Sequence, residues 1–109
     1  MTTIKIFKHK GKIRGFECSG HTGFGVQGED VLCSAISTLV GSCHLGLSKV
    51  LGLETDYQID EEKGFFALSL DENNLENPSA QLLLKVFAES AEDLALNYQK
   101  FIKLKIIGG

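Results

Sequence analysis

Positive charge is not in excess in this chain: 11 Lys and Arg stand against 14 Asp and Glu, a formal net charge of −3. A nucleic-acid-binding surface would need a basic patch. The basic residues that do cluster, Lys5, Lys8, Lys10, Lys12 and Arg14, alternate with apolar neighbours as on a solvated sheet face. No direct nucleic-acid contact is expected. The opening Met1-Thr2-Thr3-Ile4-Lys5 lacks the apolar core of a secretory signal. Apolar runs stay short of bilayer length, so no membrane partner is expected. Cysteine is scarce and odd in number, and the spacing Cys18, Cys33, Cys43 does not form a disulfide framework. Reduced thiols and a cytoplasmic setting are the simplest expectation. Repeats, linkers and low-complexity tracts are absent, and 109 residues hold one core, so residues 1–109 read as a single domain.

Hydrophobic residues make up 43% and charged residues 23%, ordinary values for a globular chain. Ile4-Lys5-Ile6-Phe7-Lys8 alternates apolar and polar, and Ile13 to Cys18 resumes the pattern after Lys10-Gly11, a hairpin signal. Asp30 is placed to cap a helix whose apolar positions Val31, Ala35, Leu39, Val40, Cys43, Leu47, Val50 and Leu51 recur at helical spacing. Gly52 is a natural stop. Strands over 54–60 and 65–70 flank the turn Glu61-Glu62-Lys63-Gly64. The one proline, Pro78, follows Asn77 at the favoured first position of a second helix with Ala80, Leu83, Leu84, Phe87 and Ala91 on its apolar face. Ile102 to Ile106 alternates again. The order ββαββαβ predicts an α+β fold: a mainly antiparallel sheet of about five strands with two helices on one face.

The chemistry concentrates between Gly20 and Cys33. Glycines at 20, 23, 25 and 28 exclude a regular element, and this loop puts an imidazole (His21) at one end and a thiol (Cys33) at the other. Cys33 falls in the first turn of the helix, where backbone N–H groups and the positive end of the dipole favour a thiolate. It also lies off the greasy row, beside Ser37, Gly41, His44 and Ser48, so core filler explains it poorly. A nearby imidazole completes a nucleophile–base pair, with His21 as base and His44 in reserve. Asp30 has two readings, an N-cap or a group orienting His21. Ser37, one turn on, hydrogen-bonds either the thiolate or the substrate, or turns back to a helix carbonyl. Backbone N–H groups at the helix start, Cys33 and a loop glycine among them, would supply an oxyanion hole.

Three other readings compete. Cys18-Ser19-Gly20-His21 with Cys33 has metal-like spacing, but a fourth ligand and a second paired motif are missing, so neither metal nor cofactor is expected. Gly23 to Gly28 matches GxGxxG as letters, yet no Rossmann unit follows and Asp30 would repel phosphate. A non-catalytic peptide- or metal-binding module using the same loop is the third.

Gly20-His21-Thr22-Gly23, Gly28-Glu29-Asp30-Val31-Leu32-Cys33 and Ser34-Ala35-Ile36-Ser37 together resemble the signature of the ribosomal-processing cysteine proteases, the YsxB-like family. That signature runs Gly-His-Ala/Thr-Gly, a short spacer with an aromatic residue, then Gly-x-Asp-Ile/Val-Val-Cys-Ala/Ser-Ala-Ile/Val-Ser. The resemblance covers the whole chain. It departs at Leu32, where Val is usual, and at Gly25, where Ala is common. It implies an endopeptidase that removes the N-terminal extension of large-subunit ribosomal protein twenty-seven, cutting after two phenylalanines and before a small residue. It further implies Cys33 as nucleophile, His21 as general base, Asp30 and Ser37 in support, and a homodimer. The loop carrying Gly20, Gly23, Phe24, Val26 and Gly28 would cover the substrate, with Phe24 and Val26 lining a greasy groove.

Overall fold

The computed structural model describes residues 1–25 and 30–109. Strands β1 (Thr2–His9) and β2 (Lys12–Ser19) form the expected hairpin. Lys10 and Gly11 both take positive φ, 51° and 77°, the two-residue turn whose twist matches that of the flanking strands. Helix α1 (Val31–Leu45) continues as one π-helical turn, Gly46–Val50, and the chain turns away at Gly52, whose φ is +67°. Strands β3 (Thr55–Asp60) and β4 (Phe65–Leu70) form a second hairpin, and a short 3-10 turn leads into α2 (Pro78–Asn97). Asn77 caps α2 by accepting from the N–H groups of Ser79 and Ala80. Strand β5 (Ile102–Gly108) closes the order.

The sheet order is β3-β4-β2-β1-β5. The expected mainly antiparallel sheet is instead mixed: β5 runs parallel to β1, from Thr2 opposite Ile102 to Lys8 opposite Gly108. The reason is topological. α2 carries the chain across the sheet, so β5 enters at the same end as β1, a crossover rather than a hairpin.

Registers align Ile6, Phe16 and Leu68 in one cross-strand row and Ile4, Cys18 and Phe66 in the next, all on the helix-covered face. Phe16 stacks on Phe87 of α2 with ring centroids 3.8 Å apart. Gln81 is buried and acts as a strand mimic: its side-chain oxygen accepts from the Ile13 N–H and its amide donates to the Ile13 carbonyl, both at 2.9 Å. On the opposite face Lys5 and Glu17 pair across β1 and β2 at 3.7 Å, as a solvated face allows.

The buried row of α1 is Leu32, Ile36, Val40 and Cys43, continued by Leu47. Val40, Cys43 and Leu47 are buried as expected, but in the first two turns Leu32 and Ile36 take the inward places expected of Val31 and Ala35, and Val31 is 67% exposed. Val31 and Leu32 are equally apolar; which one faces inward depends on where the helix is tethered. Contrary to the expectation from run length, the helical stretch Val31–Val50 is long and apolar enough, by length and composition, to cross a membrane. Its apolar row is part of the core beneath the sheet.

Candidate active site

β2 delivers the chain to Gly20, whose φ is +92° and where an added Cβ would sit 2.5 Å from the Met1 carbonyl oxygen. Only glycine fits there. The Thr2 hydroxyl donates to the Gly20 carbonyl at 2.9 Å and pins the exit. His21 then meets the turn between β3 and β4: its Nε2 lies 2.8 Å from the Glu62 carbonyl oxygen. A carbonyl only accepts, so Nε2 carries the hydrogen, and Nδ1 keeps the lone pair of the neutral ring. Gly64, at φ +62°, brings this turn so close that a Cβ would stand 2.7 Å from the Gly20 oxygen and 3.2 Å from the His21 ring.

Asp30 caps α1. Its Oδ1 accepts from the N–H groups of Leu32 (2.9 Å) and Cys33 (3.0 Å). Its Oδ2 accepts from the Thr22 hydroxyl and from the N–H groups of Phe24 (3.1 Å) and Gly25 (3.2 Å). Burial alone would raise the carboxyl, but bonds from Thr22 and from the backbone of Cys33, Gly25 and Leu32 overcome it and hold Asp30 at about 2. With both oxygens engaged in this way, and His21 held by the turn, the geometry favours the cap reading over the orienting one. The N–H of Cys33, expected as an oxyanion donor, and that of Gly25, one of the loop glycines, are likewise engaged by Asp30.

Cys33 is half-buried, its Sγ 3.7 Å from the Thr22 hydroxyl oxygen. It shares a cavity of about 480 Å³ with His21, Gly20, Gly23, Ser37 and the turn residues Glu61 and Glu62. Phe66, Ile36 and Cys18 give the cavity its apolar wall. The expected lining by Phe24 is not seen. Its ring instead meets Tyr98 and Phe101 edge-on, at centroid distances of 5.8 and 5.2 Å. Val26 and Gly28 of the expected substrate loop lie outside the described residues.

His44 is not a reserve base at this site: it stacks on Tyr57 at 3.8 Å, well along the helix from Cys33. The other thiols are muted. Burial, with the Glu17 charge added, pushes Cys18 up to about 12, and burial pushes Cys43 up to about 11. Among the described residues no group of three His, Cys, Asp or Glu side chains is placed to hold a metal ion. Near neutral pH, iodoacetamide should therefore label Cys33 at least about tenfold faster than Cys18 or Cys43 in the folded protein, with peptide mapping as the readout.

Sequence reasoning missed Thr22 as a bridge between Asp30 and Cys33, and the Glu62 carbonyl as the partner of His21. The Gly64 turn signal was visible, but nothing in 61–64 says that the turn packs against residue 21.

A thiol at a helix start and an imidazole whose Nε2 is held by a carbonyl, lining one cavity, are the furniture of a cysteine peptidase. The sequence model of the family described as "Cysteine protease Prp" matches residues 1–103, and the chain belongs to that family. The ribosomal processing cysteine protease Prp of Staphylococcus aureus is 31% identical over 110 residues, covering 95% of this chain and 97% of that one. Its Bacillus subtilis counterpart is 27% identical over 104 residues, covering 94% and 92%. The fold is also that of the crystal structure of the essential ribosomal processing protease Prp from S. aureus in complex with a covalently linked product peptide. That structure has a TM-score of 0.88 at 23% identity and covers 97% of this chain and 99% of its own.

Proposed function

We propose that Cys33 is the nucleophile and His21 the general base and acid of this protease. The substrate is the N-terminal extension of large-subunit ribosomal protein twenty-seven, cut after two phenylalanines. The observation that carries this reading is the shared cavity. Cys33, in the first turn of α1, and His21, with Nε2–H held by the Glu62 carbonyl, both line it. That bond leaves Nδ1 to take the Cys33 proton, and the same carbonyl then steadies the imidazolium that forms. The thiolate adds to the scissile carbonyl carbon. The C–N bond breaks as Nδ1–H passes its proton to the leaving amine, and a thioester remains. Water, giving a proton to Nδ1, hydrolyses it and restores the thiol. The S. aureus protease, crystallised with a covalently linked product peptide, supports a covalent route.

The cavity suits such a substrate. Phe66 and Ile36 provide apolar lining for aromatic side chains, and Gly20, Gly23 and Gly25 leave room for a peptide backbone. Ser37, also on the lining, is a supporting residue in this reading. The setting is cytoplasmic, where ribosomal proteins are made. A homodimer is part of the reading, and the exposed Leu82 and Val86, one turn apart on α2, offer apolar surface for a second copy. Incubation with a peptide spanning a Phe-Phe/Ala junction tests the reading. Mass spectrometry should show a single cut after the second Phe; an intact peptide, or cutting elsewhere, contradicts it.

A further inference from the structure

Thr22 is 1% exposed and does not line the cavity, yet its hydroxyl touches both Asp30 and Cys33. The Phe24 N–H donates to the same oxygen at 3.2 Å. A hydroxyl has one proton, and the Asp30 carboxylate can only accept, so that proton points at Oδ2. Toward Cys33 the hydroxyl then shows a lone pair, and the resting thiol donates S–H to it across 3.7 Å. Once His21 has taken the thiol proton, that lone pair faces a negative sulfur. Rotation about the Cβ–Oγ1 bond turns the O–H from Oδ2 to Sγ and removes the clash. Asp30 bears this loss because four backbone N–H groups, those of Phe24, Gly25, Leu32 and Cys33, still hold it.

We propose that Thr22 is a positioning residue for Cys33: its hydroxyl orients the thiol at rest and donates to the thiolate during turnover. This rests on Cys33 being the nucleophile. No heavy-atom bond changes; one hydroxyl proton swaps acceptors. Thr22 acts through Cys33 and does not line the cavity, so its loss is graded rather than total. The other titratable groups on the cavity are His21, Asp30, Glu61, Glu62 and the buried Cys18. Of these Asp30 bonds to the Thr22 hydroxyl, and its four backbone donors keep it ionised when that hydroxyl is removed.

The test compares Thr22→Val, which keeps the shape and removes the hydroxyl, with Thr22→Ser, which keeps the hydroxyl. Peptide cleavage and the pH dependence of Cys33 alkylation are both measured, and Cys33→Ala is run beside them. Thr22→Val should lower kcat by about tenfold with KM unchanged, and should move the alkylation midpoint up by roughly half a pH unit or more. Thr22→Ser should restore both. A purely structural role would lower the amount of folded protein, seen by thermal melt, without moving the midpoint. If Thr22→Val does not fold, Thr22→Ala carries the same comparison. Wild-type kcat and midpoint in the hydroxyl-free variant, or equal losses in Thr22→Ser, overturn the proposal. Persistent cleavage by Cys33→Ala overturns instead the reading of the site on which it rests.

Discussion

Cys33→Ala should reduce cleavage of a Phe-Phe/Ala peptide by at least about a thousandfold while leaving the fold intact, because the nucleophile of a covalent route cannot be bypassed cheaply. The half-buried thiol contributes little packing, so the melting temperature should stay within a few degrees, on the order of the small shifts seen when a site side chain is trimmed. Cys33→Ser should be nearly as inactive, since a hydroxyl is far harder to ionise than a thiol. Cys18→Ala and Cys43→Ala should still cleave the peptide, Cys18→Ala trimming one atom from the cavity wall. Their cost is in stability, because each deletes a buried atom from the core. A peptidase assay with circular dichroism on the same samples separates the two effects.

Asp30→Asn should have the largest effect on stability. The isosteric amide keeps Oδ1 for the N–H groups of Leu32 and Cys33, so the helix cap survives in part. Its NH2 group, however, now faces the Thr22 hydroxyl and the N–H groups of Phe24 and Gly25, which wanted an acceptor. Leaving such donors unsatisfied costs about 2 kcal/mol, a drop of roughly 10 °C in melting temperature for a domain of this size. The wild-type carboxyl is depressed from 3.8 to about 2 in the folded state. A depressed carboxyl stabilises fully above its unfolded value and loses that contribution as pH falls through the folded one. The wild-type advantage over Asp30→Asn should thus be constant above about pH 4 and shrink between about pH 4 and pH 2. Urea unfolding across that range reads it directly. Activity should fall as well, because Asp30 ties the segment after His21 to the start of the helix that bears Cys33.

These expectations depend on features of unequal visibility. Local chemistry spoke clearly. Asp30 before an apolar periodic run marks a cap, Pro78 after Asn77 marks a helix start, and a His and a Cys flanking glycines mark a site. All of them rest on interactions between near neighbours. Long-range facts were hidden. Nothing in Ile102 to Ile106 tells that its strand lies parallel to β1 rather than antiparallel to it, because that follows from the path of α2. The apolar pair Val31 and Leu32 allowed two rows, and the tether at Asp30 chose between them. Phe24 looked like a substrate contact by its place in the loop; its actual seat against Tyr98 and Phe101 is supplied by residues more than seventy positions away. The partner of His21 is a backbone carbonyl, which no side-chain pattern can announce.

Everything proposed for the site depends on peptide hydrolysis passing through a bond to Cys33. Intact-protein mass spectrometry, with turnover of a Phe-Phe/Ala peptide quenched in acid, detects that bond itself. A transient adduct with the mass of the acyl fragment, mapped to Cys33, should build up before steady state and be absent from Cys33→Ser. Turnover at an unchanged rate with no adduct, or an adduct mapped to Cys18 or Cys43, would contradict it.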